Sequence, residues 1–334
     1  MKPVVWGVLS TARIGIQHVI PAMRASPLVE LRAIASRSLS AAEGAARSLG
    51  IAQAYGSYEE LLADPAIEAI YNPLPNHLHV PLTLQAAAAG KHVLCEKPVA
   101  LSAAEAELLR AASRSVHIEE AFMVRYHPQW LRARELVRAG RIGTPQAVQV
   151  FFSYFNDDPG NIRNQPGIGG GALFDIGCYA VLAGRYLFEC EPLRAVSLVD
   201  RDPKLGTDRL TSALLDFGSG RQVAFTVSTQ SARFQRVQVV GTRGRIELFI
   251  PFNAVRGGEM RLAVDDGGQL DGSGITVETL PPCDQYRLQV EAFSRRVRDA
   301  AGPQPDGLDD AVAQARVIDA LWLSERTGRW EPVA

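Results

Sequence analysis

The feature that most constrains this chain is a regular alternation through its first 140 residues: short apolar runs of strand length, each followed by a helical segment. Val4–Ser10 is the first run, and Thr11-Ala12-Arg13-Ile14-Gly15 turns into a helix reaching about Ser26. Val29–Ser36, Ala66–Asn72, Lys91–Cys95 and Val116–Met123 continue as strands. Helices are expected at Leu39–Leu49, Tyr58–Leu62, His77–Ala89, Ser102–Ser115 and Pro128–Ala139. Ser102 with Glu105 three residues on makes a capping box. Apolar strands separated by helices predict a parallel sheet covered on both faces, an α/β unit.

The character changes near Gly143-Thr144-Pro145. Gln146–Phe155 alternates and is rich in Val and Phe, and Ala195–Leu198, Thr211–Asp216, Val223–Thr229, Val237–Val240 and Ile246–Ile250 read as further strands. Gly218-Ser219-Gly220 and Thr242-Arg243-Gly244 are hairpin turns, so a large, open and mainly antiparallel sheet is expected. Residues 265–274 read as a loose loop, and Gln285–Asp299 and Leu308–Glu325 as late helices. At 334 residues the chain is long for one core, so two domains are expected. The division is placed at 1–126, the α/β unit, and 127–334, an α+β domain whose last helix packs back towards the first.

A net charge of −1 gives no electrostatic footprint for nucleic acid or an anionic membrane. Four cysteines show neither metal-ligand spacing nor a disulfide framework and suit a reducing compartment. No apolar run of the ~18 residues of a membrane span is apparent, and no signal-peptide core opens the chain. The expectation is a cytoplasmic protein with no metal, nucleic-acid or membrane partner.

Cys95-Glu96-Lys97-Pro98 ends the Lys91–Cys95 strand. A Glu-Lys pair there is costly unless something uses it, and ligands collect at the carboxyl ends of strands in open parallel sheets. An ammonium whose proton affinity is lowered by partial burial could exchange a proton near neutral pH. A cis Lys97–Pro98 bond would aim the lysine into a cleft, although trans is the common form. The competing reading is a surface turn.

After the first strand a dinucleotide fingerprint would need small residues, so that helix N–H groups approach the pyrophosphate. Ser10, Ala12 and Gly15 hold those places, and the Ser10 and Thr11 hydroxyls can donate to phosphate. No acidic residue closes the second strand; Ser36-Arg37-Ser38 stand there and suit a ribose 2′-phosphate. NADP is therefore expected over NAD, unless Arg37 is only a solvated charge. Asn72-Pro73-Leu74-Pro75-Asn76-His77-Leu78-His79 runs extended along the same edge, with Asn76 a plausible N-cap and the backbone lining the cofactor cleft.

In the second half Asn156 to Gln165 is a long polar loop, and Gly169-Gly170-Gly171 turns into a helix over Ala172–Phe188. Asp175 and Tyr179 are four apart on it and share a face. A carboxylate and a phenol projecting together from an apolar helix mark a site; the plainer reading is a first-turn carboxylate and a core tyrosine.

The chain resembles the glucose–fructose oxidoreductase / inositol dehydrogenase (Gfo/Idh/MocA) family over nearly its whole length. The residues that carry this are Trp6 to Ile14, Pro75 to His79, Glu96-Lys97-Pro98, Glu120 to Pro128 with Arg125 among them, and Gly169 to Tyr179. It is most similar to the branch of dimeric dihydrodiol dehydrogenases and NADP-dependent xylose dehydrogenases, in which tyrosine stands four after the aspartate; inositol dehydrogenases have histidine there. The resemblance implies a Rossmann domain and a C-terminal sheet whose outer face makes a homodimer or a dimer of dimers. It implies cofactor contacts from Ser10, Thr11, Ala12, Arg13, Ile14, Ser36, Arg37, Ser38, Pro73, Leu74, Asn76, His79, Glu96, Lys97 and Arg125. Tyr179 and Lys97 would be the acid–base pair, with Asp175 orienting a sugar hydroxyl or Lys97. Asn156, Asn161 and Arg163, with Asp175 and Tyr179, would contact a sugar or cyclic diol. A nicotinamide-dependent glycoside hydrolase and a non-catalytic nucleotide sensor are the competing classes; the first would cleave a glycoside with no net change in cofactor absorbance.

Overall fold

In the computed structural model, residues 1–299 and 307–334 are described. The first half runs β1 (Val4–Leu9), a π-turn (Gly15–Val19) leading into α1 (Ile20–Arg24), β2 (Val29–Ala35), α2 (Leu39–Leu49), β3 (Gln53–Tyr55), α3 (Tyr58–Ala63), β4 (Ala69–Asn72), α4 (His79–Ala88), β5 (His92–Cys95), α5 (Ala103–Ala112) and β6 (Ile118–Glu120). Then follow α6 (Pro128–Arg138), β7 (Pro145–Phe155), α7 (Cys178–Phe188), β8 (Arg194–Arg201), β9 (Asp208–Asp216), β10 (Gln222–Ser228), β11 (Gln230–Gly241) and β12 (Arg245–Phe249). The chain closes with β13 (Met260–Asp265), β14 (Ile275–Leu280), α8 (Gln285–Arg298), α9 (Leu308–Thr327) and β15 (Glu331–Pro332).

The first six strands form one parallel sheet in the order β3-β2-β1-β4-β5-β6, the doubly wound Rossmann order. All of β1 is buried, as expected for a strand covered on both faces. At Gly7 a Cβ would lie 2.8 Å from Leu61 Cδ2, so glycine lets α3 pack against the strand. The three-residue β3 carries too short a signal to be read from the sequence alone, and β4 is shorter than expected.

The chain divides into Met1–Met123 with the described part of Asp284–Val312, and Val124–Cys283 with Ala313–Ala334. The division at 126/127 therefore needs correction: α8 belongs to the first unit. Val290 and Phe293 lie in one apolar cluster with Val4, Trp6 and Val8; Phe293 sits 5.1 Å from the Trp6 ring, and Trp6 Nε1 donates to Ser294 Oγ at 3.2 Å. Arg298 bonds Glu68 at 2.6 Å, and Arg296 pairs with Glu119. The start of α9, as far as Val312, belongs to the same unit, and its Asp309 pairs with Arg110 of α5.

The second unit holds a nine-stranded sheet in the order β14-β13-β12-β11-β7-β10-β9-β8-β15. Only the β7–β10 pair is parallel. Strand β7 buries Val148, Val150 and Phe152 on one face, against which α7 packs, and turns Gln149 and Phe151 outward. Pro166–Phe188 is long and apolar enough to cross a membrane, which corrects the expectation that no such run exists; 72% of its apolar window is buried in this unit, as for a core helix.

Candidate functional site

In the first unit the predicted residues gather at the carboxyl ends of the parallel strands. Ser10 follows β1 with φ +76°, the left-handed conformation that usually selects glycine. Its hydroxyl accepts the Ala12 N–H at 3.2 Å, bracing the turn, and its own proton stays available to a phosphate. A Cβ on Gly15 would meet Tyr71 at 3.6 Å and Pro73 at 3.8 Å, so the turn after β1 touches the segment after β4. That is the switch point of the strand order, where dinucleotides bind. Arg13 is exposed, and Ile14 packs against the apolar cluster of this unit.

After β2, the Ser36 hydroxyl accepts the Ser38 N–H at 3.3 Å, and the Ser38 hydroxyl caps α2 by accepting the Ala41 N–H at 3.3 Å. Arg37 is exposed; burial raises the pKa of the Tyr58 phenol, and the positive charge of Arg37, which lies near it, pulls it down. A guanidinium and two serines at a helix N-terminus, with no carboxylate of their own, fit a 2′-phosphate. Tyr58 was not predicted; one sequence carries no signal that a residue opening α3 stands beside the end of β2.

The loop after β5 is anchored around Lys97. Glu96 N donates to Asn72 O at 3.0 Å, and Glu96 Oε1 accepts the Tyr71 hydroxyl at 2.7 Å. Burial first, and then the Glu96 charge, raise the Tyr71 phenol well above its ordinary value, so it stays a donor. Pro98 O faces His79 Nδ1 at 2.7 Å, and Val99 N donates to Glu120 Oε1 at 2.8 Å. The Lys97–Pro98 bond is cis. Lys97 itself is half-buried, with each neighbour held.

Two expectations change here. Asn76 caps no helix: neither the turn Asn76–Leu78 nor α4 has a side-chain cap. His79 is wholly buried, with Nε2 2.7 Å from Leu74 O and Nδ1 on Pro98 O. Burial brings its pKa down to about 4, although the two carbonyls pull the other way. Its ring ties the loop after β4 to the loop after β5, and both its nitrogens are taken up in doing so.

In the second unit the helix Ala172–Phe188 begins with a π-turn, Leu173–Gly177, a winding frequent at functional sites. Asp175 lies in that turn. Its Oδ2 accepts the Tyr154 hydroxyl at 2.5 Å, and its Oδ1 pairs with Arg163 Nε at 3.0 Å. Tyr154 and Arg163 thus hold one oxygen each of this carboxylate. Burial and the Asp175 charge push the Tyr154 phenol up, which keeps it protonated. Tyr154 was missed; the signal was present, because it continues the inward row Val148, Val150, Phe152 with a polar tip. Tyr179 is 5% exposed, its ring against Phe152 and Phe252. Arg125 is buried, its guanidinium over Tyr186.

The loop 156–165 is shaped by its own amides. Asn161 Oδ1 accepts the Arg163 N–H at 3.0 Å, and Asn156 Oδ1 accepts from Asp158 N at 3.1 Å and Asn164 Nδ2 at 3.3 Å. The carboxamide oxygens expected to meet substrate are engaged in folding the loop. Gly170 packs on it so closely that a Cβ would lie 2.7 Å from the carbonyls of Arg163 and Gln165.

A nucleotide-binding Rossmann unit followed by a unit bearing a polar helix face on an open sheet defines a class: two-part dinucleotide-dependent oxidoreductases. Residues 4–120 match the oxidoreductase family with an NAD-binding Rossmann fold, and residues 130–247 match the GFO/IDH/MocA C-terminal domain. The chain belongs to the GFO/IDH/MocA oxidoreductase family. It is 45% identical to an uncharacterized oxidoreductase, ORF334, of Rhizobium meliloti over the whole of both chains. It is 40% identical to D-xylose 1-dehydrogenase (NADP(+)) 2 of Haloferax volcanii, over 97% of this chain and 98% of that one. Among solved structures it is similar to KijD10, a 3-ketoreductase from Actinomadura kijaniata in complex with NADP and TDP-benzene, at 28% identity and TM-score 0.90, covering 97% and 98% of the two chains.

Proposed function

We propose that this chain is an NADP-dependent oxidoreductase that moves a hydride to or from a carbon of a sugar or a related cyclic polyol or diol. The observation that carries it is the loop around Lys97, held on both sides at the strand edge where the Ser10 turn and the Ser36–Ser38 cluster fit a dinucleotide phosphate. The likeness to an enzyme named for D-xylose and NADP supports the substrate class and the cofactor.

The cofactor supplies or accepts the hydride. Ser10, Thr11 and the Ala12 turn would hold its pyrophosphate, and Ser36, Arg37 and Ser38 its 2′-phosphate. Lys97 and Tyr179 form the acid–base pair: the phenol exchanges the proton of the reacting hydroxyl, and the ammonium lowers the phenol's proton affinity and holds the same hydroxyl. Asp175, fixed by Tyr154 and Arg163, accepts from a neighbouring substrate hydroxyl and so orients the ring.

The working form is a homodimer through the outer face of the sheet. Leu198, Leu214, Phe151 and Phe234 are 77%, 45%, 36% and 49% exposed on that face. An exposed apolar patch of this kind marks an interaction surface.

The test is a spectrophotometric screen of aldoses, keto-sugars and dihydrodiols with NADP and NAD in parallel. Turnover of a sugar or diol with NADP is expected. Glycoside cleavage without net change in cofactor absorbance would replace this reading, and no turnover with any of them would reject it.

A further inference from the structure

Asp208 opens β9 and is 1% exposed. Its Oδ2 accepts the Leu173 N–H at 2.7 Å and the Thr211 hydroxyl at 3.0 Å. Leu173 begins the π-turn that contains Asp175. A helix start leaves its first N–H groups without intrahelical acceptors. A carboxylate there satisfies one of them and meets the positive end of the helix dipole. This acceptor comes from 35 residues further along the chain, so the helix start is fixed to the sheet rather than to the loop before it.

The other side of the carboxyl is equally confined. Gly171 has φ +114°, and a Cβ there would lie 1.7 Å from Asp208 Oδ1. Glycine at this position is what lets the carboxyl reach the Leu173 N–H. Gly171 N also donates to Arg163 O at 2.8 Å, so one residue joins the Asp208 contact to the loop that carries Asp175's cation. Asp208 Oδ1 has no hydrogen-bond partner.

We propose that Asp208 is a positioning residue for the helix that carries Asp175 and Tyr179: its carboxyl, wedged against Gly171 and bonded to the Leu173 N–H, sets where that helix begins and so where both side chains stand. The inference rests on the roles given to Asp175 and Tyr179 above.

A charge effect accompanies the geometric one. Burial raises the Asp208 carboxyl to about 7, against the Leu173 and Thr211 hydrogen bonds and the Arg201 charge, which pull it down. The charged and titratable groups that face it are Arg201 on β8 and Tyr154 on β7. Tyr154 is the donor to Asp175, so a change of charge at Asp208 near neutral pH is felt one residue from the substrate-orienting carboxylate. A protonated carboxyl is also the weaker acceptor for the Leu173 N–H.

The experiment compares Asp208→Ala, which removes the acceptor, with Asp208→Asn, which keeps the shape and an acceptor but not the charge. Amide hydrogen exchange over residues 169–180, NADPH affinity, and kcat and KM against pH are measured. In Asp208→Ala, exchange at the helix start quickens and kcat falls, each by about tenfold, the measure of one lost cap, while NADPH affinity stays within about twofold. Asp208→Asn restores protection and most of kcat, and its kcat changes less with pH around neutrality than that of the wild type. Unchanged exchange or unchanged kcat in Asp208→Ala overturns the proposal. Should that variant fail to fold, Gly171→Ala, which drives a Cβ against the same carboxyl, decides instead, and unchanged exchange over 169–180 with unchanged kcat in it overturns the proposal. The exchange measurement needs no substrate, so it separates failure of this inference from failure of the reading of the reaction.

Discussion

The Tyr154 hydroxyl donates to Asp175 Oδ2 across 2.5 Å, joining the sheet to the first turn of the candidate site helix. Removing this donor takes one hydrogen bond from the Asp175 carboxylate, which Arg163 also holds. Tyr154→Phe is expected to cost about 1.5–3 kcal/mol of stability, the range for a hydrogen bond to a charged group. It should raise KM for the sugar and leave NADPH affinity alone. Urea denaturation and steady-state kinetics check this; an unchanged KM would remove Asp175 from substrate orientation.

Tyr179→Phe and Lys97→Ala are each expected to cut turnover by ~10²-fold or more while NADPH still binds. Groups acting as one unit are non-additive, so the double variant should fall little further than either single one. Full additivity would assign the two residues to separate steps.

The Arg37 charge lies near the Tyr58 phenol beside the Ser36–Ser38 turn. Arg37→Ala is expected to weaken NADP binding by about tenfold or more, as for the loss of a charge-assisted phosphate contact, with NAD binding unaffected. Tyr58→Phe should give a smaller loss of the same sign, because the guanidinium keeps its charge but loses a polar neighbour. Fluorescence titration of both cofactors measures it, and equal losses for NAD and NADP would show that Arg37 does not read the 2′-phosphate.

Glu68 is held down to about 2 by its hydrogen bond with Arg298, the contact that latches the end of α8 to the first unit. A carboxylate depressed in the folded state contributes stability above its unfolded value near 4.5, and that contribution is lost as pH falls towards about 2. The pair is partly exposed, so about 1 kcal/mol is expected after solvent screening. Arg298→Ala should abolish this acid-dependent part, and 1 M salt should weaken it in the wild type. Equilibrium denaturation at pH 7 and pH 3 tests both.

Leu198 and Phe151 lie outward on β8 and β7. Leu198→Glu with Phe151→Glu is expected to convert the proposed dimer to monomer, because two buried like charges would oppose the face-to-face contact. Sedimentation velocity reads the outcome; a dimer of unchanged affinity would move the interface elsewhere.

Much of the fold was legible because periodicity is local. Each of the parallel strands has to bury both faces and each covering helix one, so the alternation of apolar runs with the Ser102 cap announced the Rossmann unit. The candidate site stood out where chemistry sits out of place: Glu96-Lys97 closing an apolar strand, and Asp175 with Tyr179 on an apolar helix. What misled was polar side chains whose partners lie elsewhere. His79 looked available for a cofactor and is buried between two carbonyls. Asn156 and Asn161 looked like substrate contacts and spend their oxygens on the loop.

By itself the sequence determined the order of elements, the parallel and antiparallel halves and the residues that could do chemistry, since these follow from patterns a few residues long. Only the tertiary structure decided that α8 rejoins the first sheet, that Tyr154 holds Asp175, and that Asp208 caps the helix start at Leu173. Each of those is a contact between segments far apart in the chain. Which distant donor meets which acceptor is set by strand order and register, and neither is written in any local pattern.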